Sequence, residues 1–343
     1  MKFNPFESKH FEKADELWEA LSPTREHELT KAPSKLVYRG QADAQWELTP
    51  SVLRKKFIKS WAHGQLTSDR QILREMNLLE CFADFCDQIG VRLPNDSIFF
   101  RKEHLSVQDF NQEYYTNPKL WPDPKLLEVM ALAQHHGVPT RLLDWTKIPY
   151  VAAYFAASGA LGICSDWQPD DKLAIWVLNL ERINHYEKVK ICVVSGAVSP
   201  HLAAQAGLFT VHPHDGVRGE SFEVKGLEQE FSILPETPLL CLTLPSTQSI
   251  RLMELCNKAG FTGASIYPSA DGAGKAVLDN MNLWNAQNIL KKQQSEQRLT
   301  TIYQKRFGAD YTRLLEIQQW IAAHPNKAEM LAFLNNPNPF KAV

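Results

Sequence analysis

The chain is poor in the features that would assign it at once. Its six cysteines, Cys81, Cys86, Cys164, Cys192, Cys241 and Cys256, are widely spaced, sit mostly among apolar neighbours and form no Cys-x-x-Cys pair. That argues against a disulfide or zinc framework and for buried, reduced thiols in a cytoplasmic protein. No apolar run is long enough to span a bilayer, and residues 1–21 are studded with charge where a signal peptide would be apolar, so no membrane partner is expected. A formal net charge of -2 supplies no global basic field for nucleic acid or an anionic surface. The Gly-x-Ser-x-Gly turn of a hydrolase nucleophile is absent, and no cysteine has a basic partner nearby in sequence. Gly272-Ala273-Gly274-Lys275 lacks the upstream Gly of a phosphate loop and is followed by Ala276 in place of Ser/Thr. His212-Pro213-His214-Asp215 lacks the i, i+4 spacing of zinc hydrolases and a matching second cluster, so it is expected to be a solvent loop, with no metal.

What the chain does contain is an alternation of helices and strands. Residues 11–21 read as a short amphipathic helix and Lys35 to Arg39 as a strand ending at Gly40. From Asp69 to Ile89 the apolar residues Ile72, Leu73, Met76, Leu79, Phe82, Phe85, Cys86 and Ile89 recur at helical spacing, closed by Gly90. Residues 91–121 have mixed polarity and several turn formers, which predicts an irregular insertion with little rigid packing. A helix from Pro124 to His136 follows, with Gly137 as its cap, and Thr146 can cap another over Pro149 to Ala157, apolar nearly all round and so central. Strands are predicted over 173–180, 189–194, 208–211, 231–234, 239–244 and 262–267, with a helix over 248–259. After Asp271 the pattern is almost entirely helical, and Leu314, Ile317, Trp320 and Ile321 mark one buried face. The fold class expected is α+β: a mixed, mainly antiparallel sheet with flanking helices and an α-helical C-terminal tail. The domain reading is a helical extension over 1–30, a main domain over 31–285 with the insertion at 91–121, and a tail over 286–343.

Chemistry concentrates in Gln134-His135-His136-Gly137-Val138-Pro139-Thr140-Arg141-Leu142-Leu143-Asp144-Trp145-Thr146. Two imidazoles, a guanidinium, a carboxylate and two hydroxyls between two buried helices are more often a site than a scaffold. Adjacent positions on a helix point about 100° apart, so one of His135 and His136 is expected in the site and the other at the helix C-terminus.

Three motifs carry a family resemblance. Tyr38-Arg39-Gly40-Gln41 with Trp46, Leu48 and Arg54, then Ala133 to Thr146, then Gln205-Ala206-Gly207-Leu208-Phe209-Thr210 occur in order and resemble the FRG domain family, named for a Phe/Tyr-Arg-Gly motif. Gly260, Ile266-Tyr267-Pro268 and Asp271-Gly272 add a fainter echo. The resemblance spans roughly residues 35–275 and implies no particular reaction.

A more distant resemblance does imply one. Arg39, then Asp144-Trp145-Thr146 leading into Val151-Ala152-Ala153-Tyr154-Phe155-Ala156, then Glu228-Gln229-Glu230 is similar in order to ADP-ribosyltransferases of the Arg-Ser-Glu class, with Asp144-Trp145 standing where that class has Ser-Thr. The likeness implies a split sheet and NAD as substrate. Arg39 would hold a phosphate or the ribose, and Glu230 would steady the charge that develops as nicotinamide leaves. Trp145 or Phe209 would stack on a ring of the ligand. His136 and Asp144 complete the catalytic set, with Tyr38, Gly40, Gln134, Thr140, Arg141, Thr146 and Gln205 around the cofactor.

Each residue also has a plain structural reading. Arg39 can tie strands together through backbone carbonyls and Asp144; Glu228 and Glu230 equally suit an exposed edge; Tyr154 and Phe155 suit the core. Two function classes follow. One is an NAD-consuming enzyme that transfers ADP-ribose to a protein or nucleic-acid acceptor or hydrolyses NAD, in a bacterial toxin or phage-defence setting. The other is a nucleotide-sensing or partner-binding module that uses the same cleft without turnover. Oligomeric state stays open.

Overall fold

A computed structural model describes residues 3–25, 29, 35–57, 66–107, 112–183, 186–196 and 200–307. The chain divides into two units, residues 1–286 and 287–343. The first contains strand β1 (Glu7–His10), helix α1 (Ala14–Ala20), β2 (Leu36–Gln41), α2 (Ser68–Gln88), α3 (Leu127–His135), β3 (Leu142–Thr146), α4 (Pro149–Gly162), β4 (Lys172–Asn179), β5 (Lys190–Cys192), β6 (Gly207–Val211), β7 (Leu239–Pro245) and α5 (Ser249–Lys258). Helix α6 (Ala270–Phe307) begins in the first unit and continues into the second. The sheet order is β1-β7-β4-β2-β3-β6-β5. Every pairing is antiparallel except β1 with β7, so the fold is α+β with a mixed, mainly antiparallel sheet.

Local chemistry explains the elements that hold the site. Helix α2 buries Ile72, Met76, Leu79, Ala83 and Cys86, a stripe at helical spacing, while Phe85 and Ile89, expected on the same face, are 63% and 75% exposed. Helix α3 ends where Gly137 takes φ +85. There the Gly137 N–H donates to the Gln134 carbonyl and the Val138 N–H to that of Ala133, each at 3.0 Å, the paired bonds of a glycine cap. Helix α4 is buried along most of its length, and Gly40 of β2 lies against it. A Cβ at Gly40 would overlap the Ala152 carbonyl oxygen and the Ala156 nitrogen, so the glycine of the Tyr-Arg-Gly motif is required by strand-to-helix packing.

Several expectations are corrected. The first thirty residues are not purely helical: Glu7–His10 form an edge strand, since they find an open partner in β7. The described residues of the 91–121 stretch, 91–107 and 112–121, are no loose insertion. Phe100, Leu105, Tyr114, Tyr115 and Trp121 are buried in one cluster with α2 and α3, aromatic burial that mixed polarity concealed. Phe231–Ile233 and Gly263–Ile266 are short helical turns, where strands were predicted; the second has a capping box from Thr262 and Ser265. The predicted face of Leu314, Ile317, Trp320 and Ile321 lies outside the described residues. All six cysteines are free, and only Cys81 is exposed. Among the described residues no helix is long and apolar enough to cross a membrane.

Candidate functional site

Strands β2 and β3 are neighbours, yet a single pair, Tyr38 with Thr146, joins them. By contrast β2 is paired with β4 over its whole length, and β3 likewise with β6. The sheet is thus two half-sheets meeting at one point. Beyond that point a side chain makes the bridge: the Arg39 Nη1–H donates to the Asp144 carbonyl at 2.8 Å and lies 3.4 Å from its Oδ2.

A cleft of about 310 Å³ opens at this junction. Tyr38, Arg39 and Gly40 line it from one half-sheet, and Asp144, Trp145, Thr146 and Phe209 from the other. Gln134 and His135 at the end of α3 close one side; Phe155 of α4, Gln205 and Tyr267 close the rest. Nine residues placed by sequence reasoning are therefore brought together: Tyr38, Arg39, Gly40, Gln134, Asp144, Trp145, Thr146, Gln205 and Phe209.

The cleft's polar groups are held in a chain. The Gln134 amide donates to Asp144 Oδ1 at 2.6 Å, and its carbonyl accepts from the Thr140 hydroxyl. The Ser51 hydroxyl in turn donates to the Thr140 carbonyl at 3.2 Å. Thr146 donates to the Gln205 carbonyl at 2.6 Å and accepts from the Ile148 N–H at 3.0 Å, fixing the entry to α4. Asp144 stays 61% exposed at its side chain while Arg39 is 13% exposed, so the carboxylate faces the opening and the guanidinium is sunk beside it. Arg54 lies near both. Its value is lowered by desolvation and then by the charge of Arg39, against the pull of Asp144. Among the described residues Arg39 Nε is buried with no hydrogen-bond partner.

Four predicted residues fall elsewhere. His136 is exposed, with its ring 6.1 Å from that of Phe82; His135 is the imidazole in the cleft. Burial first, then His201 and His136, lower the His135 value, which keeps the ring neutral at pH 7. Thr140 acts behind Gln134 without lining the cleft. Arg141 is fully buried in another direction, forming a fork with Glu75 of α2: Nε to Oε2 at 2.8 Å and Nη2 to Oε1 at 2.6 Å. Its remaining donors reach the carbonyls of His212 and Pro213 and Nδ1 of His214. His212 and His214, expected in a solvent loop, are 3% and 2% exposed. Burial first, then Arg141, pushes both down to about 3. Glu230 is buried away from the cleft, near Lys188 at 3.7 Å, with the Tyr186 hydroxyl donating to its carbonyl at 3.0 Å. Its neighbour Glu228 accepts from the Leu48 N–H at 3.0 Å. Glu230 therefore does not share a cavity with Arg39.

Sequence reasoning also misplaced the accessible aromatic rings. Trp145 and Phe209 are each 2% exposed, and the Trp145 indole is tied to the Thr210 hydroxyl at 3.0 Å, so both are closed walls. The half-exposed rings are Phe155 and Tyr267, standing edge to face at 6.2 Å. Phe155 had a signal in its position one residue after the buried Tyr154, about 100° round the helix; Tyr267 had only its place in the faint Ile266-Tyr267-Pro268 echo of the family.

Residues 34–161 match the FRG domain family. No curated protein and no solved structure matches the chain.

Proposed function

The chain contains an FRG domain over residues 34–161, and on that premise we propose that the cleft between its half-sheets binds a nucleotide. The observation that carries the reading is the buried Arg39 Nε with no acceptor. A donor left unmade in a protein interior costs about 1–3 kcal/mol, and an incoming phosphate or sugar oxygen supplies what the fold does not. The planar guanidinium suits such oxygens geometrically. The cleft volume of about 310 Å³ lies at the lower end of the roughly 300–1,000 Å³ usual for small-molecule sites, which suits one nucleoside rather than a whole dinucleotide. Phe155 and Tyr267 offer ring surface to a base, and neutral His135 with Gln205 offers hydrogen bonds to its edge. We take the working unit as residues 31–285, longer than the matched stretch, because β4 and β6, which flank β2 and β3, arise beyond residue 161.

A second reading is NAD cleavage, and the position of Asp144 favours it over simple binding. An exposed carboxylate held by Gln134 and Arg39 stands where positive charge on a ribose would develop as the bond to nicotinamide breaks and the pyridine leaves with the electron pair. Asp144 then has the role that the ADP-ribosyltransferase likeness gave to Glu230. Water, or a protein or nucleic-acid nucleophile, would take the ribosyl carbon, and a bacterial toxin or phage-defence role belongs with this reading.

Calorimetric titration with nucleosides and nucleotides tests the first reading. Arg39→Ala should lose at least about ten-fold in affinity while melting as a folded protein; binding equal to wild type overturns it. Nicotinamide release from NAD tests the second, and release undiminished in Asp144→Asn removes that carboxylate from the chemistry.

A further inference from the structure

The segment after β6 walls a second cavity, of about 160 Å³, that shares no lining residue with the cleft. Its wall is fixed to the start of α2. The Ser68 N–H donates to the Glu220 carbonyl at 3.1 Å, the Phe222 N–H to the Leu66 carbonyl at 2.9 Å, and the Gly219 N–H to an Asp69 carboxylate oxygen at 2.8 Å. Gly216 lines the cavity, and a Cβ there would overlap the Ser68 hydroxyl, so the segment lies as close to α2 as a glycine permits. Four carboxylates, those of Asp215, Glu220, Glu223 and Glu230, face the single ammonium of Lys225 in the lining. Lys225 lies 3.6 Å from Glu223, and Lys188, outside the lining, lies 2.8 Å from Asp215 and 3.7 Å from Glu230. Two lysines therefore serve four acids. Glu230 is 8% exposed, and burial first, then Asp215, raise its value against the pull of Lys188 and Lys225. The Tyr186 hydroxyl and Lys188 approach its Oε2; among the described residues its Oε1 makes no hydrogen bond.

A second observation is independent of charge. His212 lines the same cavity and is 3% exposed, and among the described residues its Nδ1 has no hydrogen-bond partner. The neutral ring donates to the Lys225 carbonyl; Nε2 is the nitrogen left to do so, which makes Nδ1 a bare lone pair. The cavity thus offers acceptors and negative charge, and its ligand must bring donors and positive charge. We infer that it receives a guanidinium group, with Glu230 and Asp215 as its carboxylate partners and His212 Nδ1 as the neutral acceptor. Among the described residues no three His, Cys, Asp or Glu are placed to hold a metal ion, so the cation is organic. A volume of about 160 Å³ is below the roughly 300 Å³ of the smallest whole-ligand sites and suits a group of side-chain size. A guanidinium presents a planar fork of five donors that matches carboxylate oxygens in pairs, and it gives up water more readily than an ammonium. Phe222, stacked on His214 at 4.6 Å, adds an aromatic ring to the wall. Lys188 is 48% exposed, and an ion pair that open to solvent is worth little, so its ammonium yields Asp215 to a better-matched cation. The inference does not depend on what the cleft binds.

The test is calorimetric titration of the full chain with butylguanidinium, butylammonium and N-acetyl-arginine methylamide, with melting curves as the check on folding. Butylguanidinium should bind wild type saturably, at about 1 mM or tighter and at least about ten-fold tighter than butylammonium. Glu230→Gln keeps the side-chain shape and should weaken that binding at least about ten-fold, at a melting temperature no lower than wild type. Asp215→Asn, at a side chain 38% exposed, should weaken it too. Lys188→Gln should tighten it, because the ammonium that competes for Asp215 and Glu230 is gone. Tighter binding of the arginine derivative would identify an arginine side chain as the source of the group, and tighter binding of butylguanidinium a free alkylguanidine. No saturable binding of either guanidinium up to about 10 mM, parity with butylammonium, affinity unchanged by both carboxylate variants, or weaker binding in Lys188→Gln overturns the inference.

Discussion

Replacing Arg141 by Met separates a folding role from a ligand role for the most polar residue of the histidine-rich segment. Arg141 has no exposed surface and Glu75 is 3% exposed. Removing the guanidinium deletes both bonds of the fork and three further contacts to residues 212–214. Among the described residues Glu75 would keep the Gln71 amide and the Trp121 indole as donors. Breaking a buried pair from one side costs about 3–5 kcal/mol, a large share of the roughly 5–15 kcal/mol of a typical domain. At a slope of about 3 kcal/mol per molar urea, the unfolding midpoint should fall by about 1–1.7 M. The deficit should also depend on pH. In the wild type burial alone would raise Glu75, but Arg141 pulls it below 4.5, so its contribution is present above that value and lost as pH falls through the lowered one. In the variant, burial, the largest influence, is opposed by the Gln71 and Trp121 hydrogen bonds without the charge and hydrogen bonds of Arg141. Glu75 then takes up a proton more readily in the fold, and the loss of stability in acid is smaller than in the wild type. The gap between wild type and variant should therefore narrow as pH falls from 7 to 5. The assay is urea unfolding followed by tryptophan fluorescence at both pH values. A midpoint within about 0.3 M of wild type together with lost nucleotide binding would refute the reasoning and return Arg141 to the cleft.

Three other expectations follow from the same structure. Gly40→Ala forces a methyl into the backbone of α4 and should cost about 1–3 kcal/mol or more, seen as a lower melting temperature; an unchanged one would mean that β2 and α4 are not in contact. His212 and His214 are held neutral in the fold, with values of about 3 against 6.5. The unfolded chain therefore binds more protons between these limits, and stability should fall with pH below about 6.5, by up to about 1.4 kcal/mol per pH unit for each ring. Melting curves from pH 7 to 5 that stay flat would contradict their burial. Glu230→Gln should leave nucleotide affinity at the wild-type level, since Glu230 does not line the cleft. It should not lower the melting temperature at pH 7, because burial first and then Asp215 raise its value and ionising it weakens the fold. A ten-fold loss of affinity in that variant would place the carboxylate in the site after all.

Local rules were sufficient for much of this. The 3.6-residue spacing of Ile72, Met76 and Leu79, the stop at Gly137 and the apolar runs of β4 and β7 are properties of short segments, so the elements and the α+β class were readable from them. The three motifs likewise marked Arg39, Asp144, Gln134 and Gln205, which share the cleft. Tertiary structure alone decided where polar groups point. Arg141 and Asp144 are three residues apart, yet one is sealed against Glu75, 66 positions upstream, and the other faces the cleft. His212 and Glu230 have the sequence surroundings of exposed loops but are covered by segments distant in the chain. Phe155 and Tyr267 present ring surface because two glycines, Gly40 and Gly272, let β2 approach α4 and α6 approach Tyr267. Periodicity encodes a segment's own geometry; burial and partnership depend on what packs against it from far along the chain.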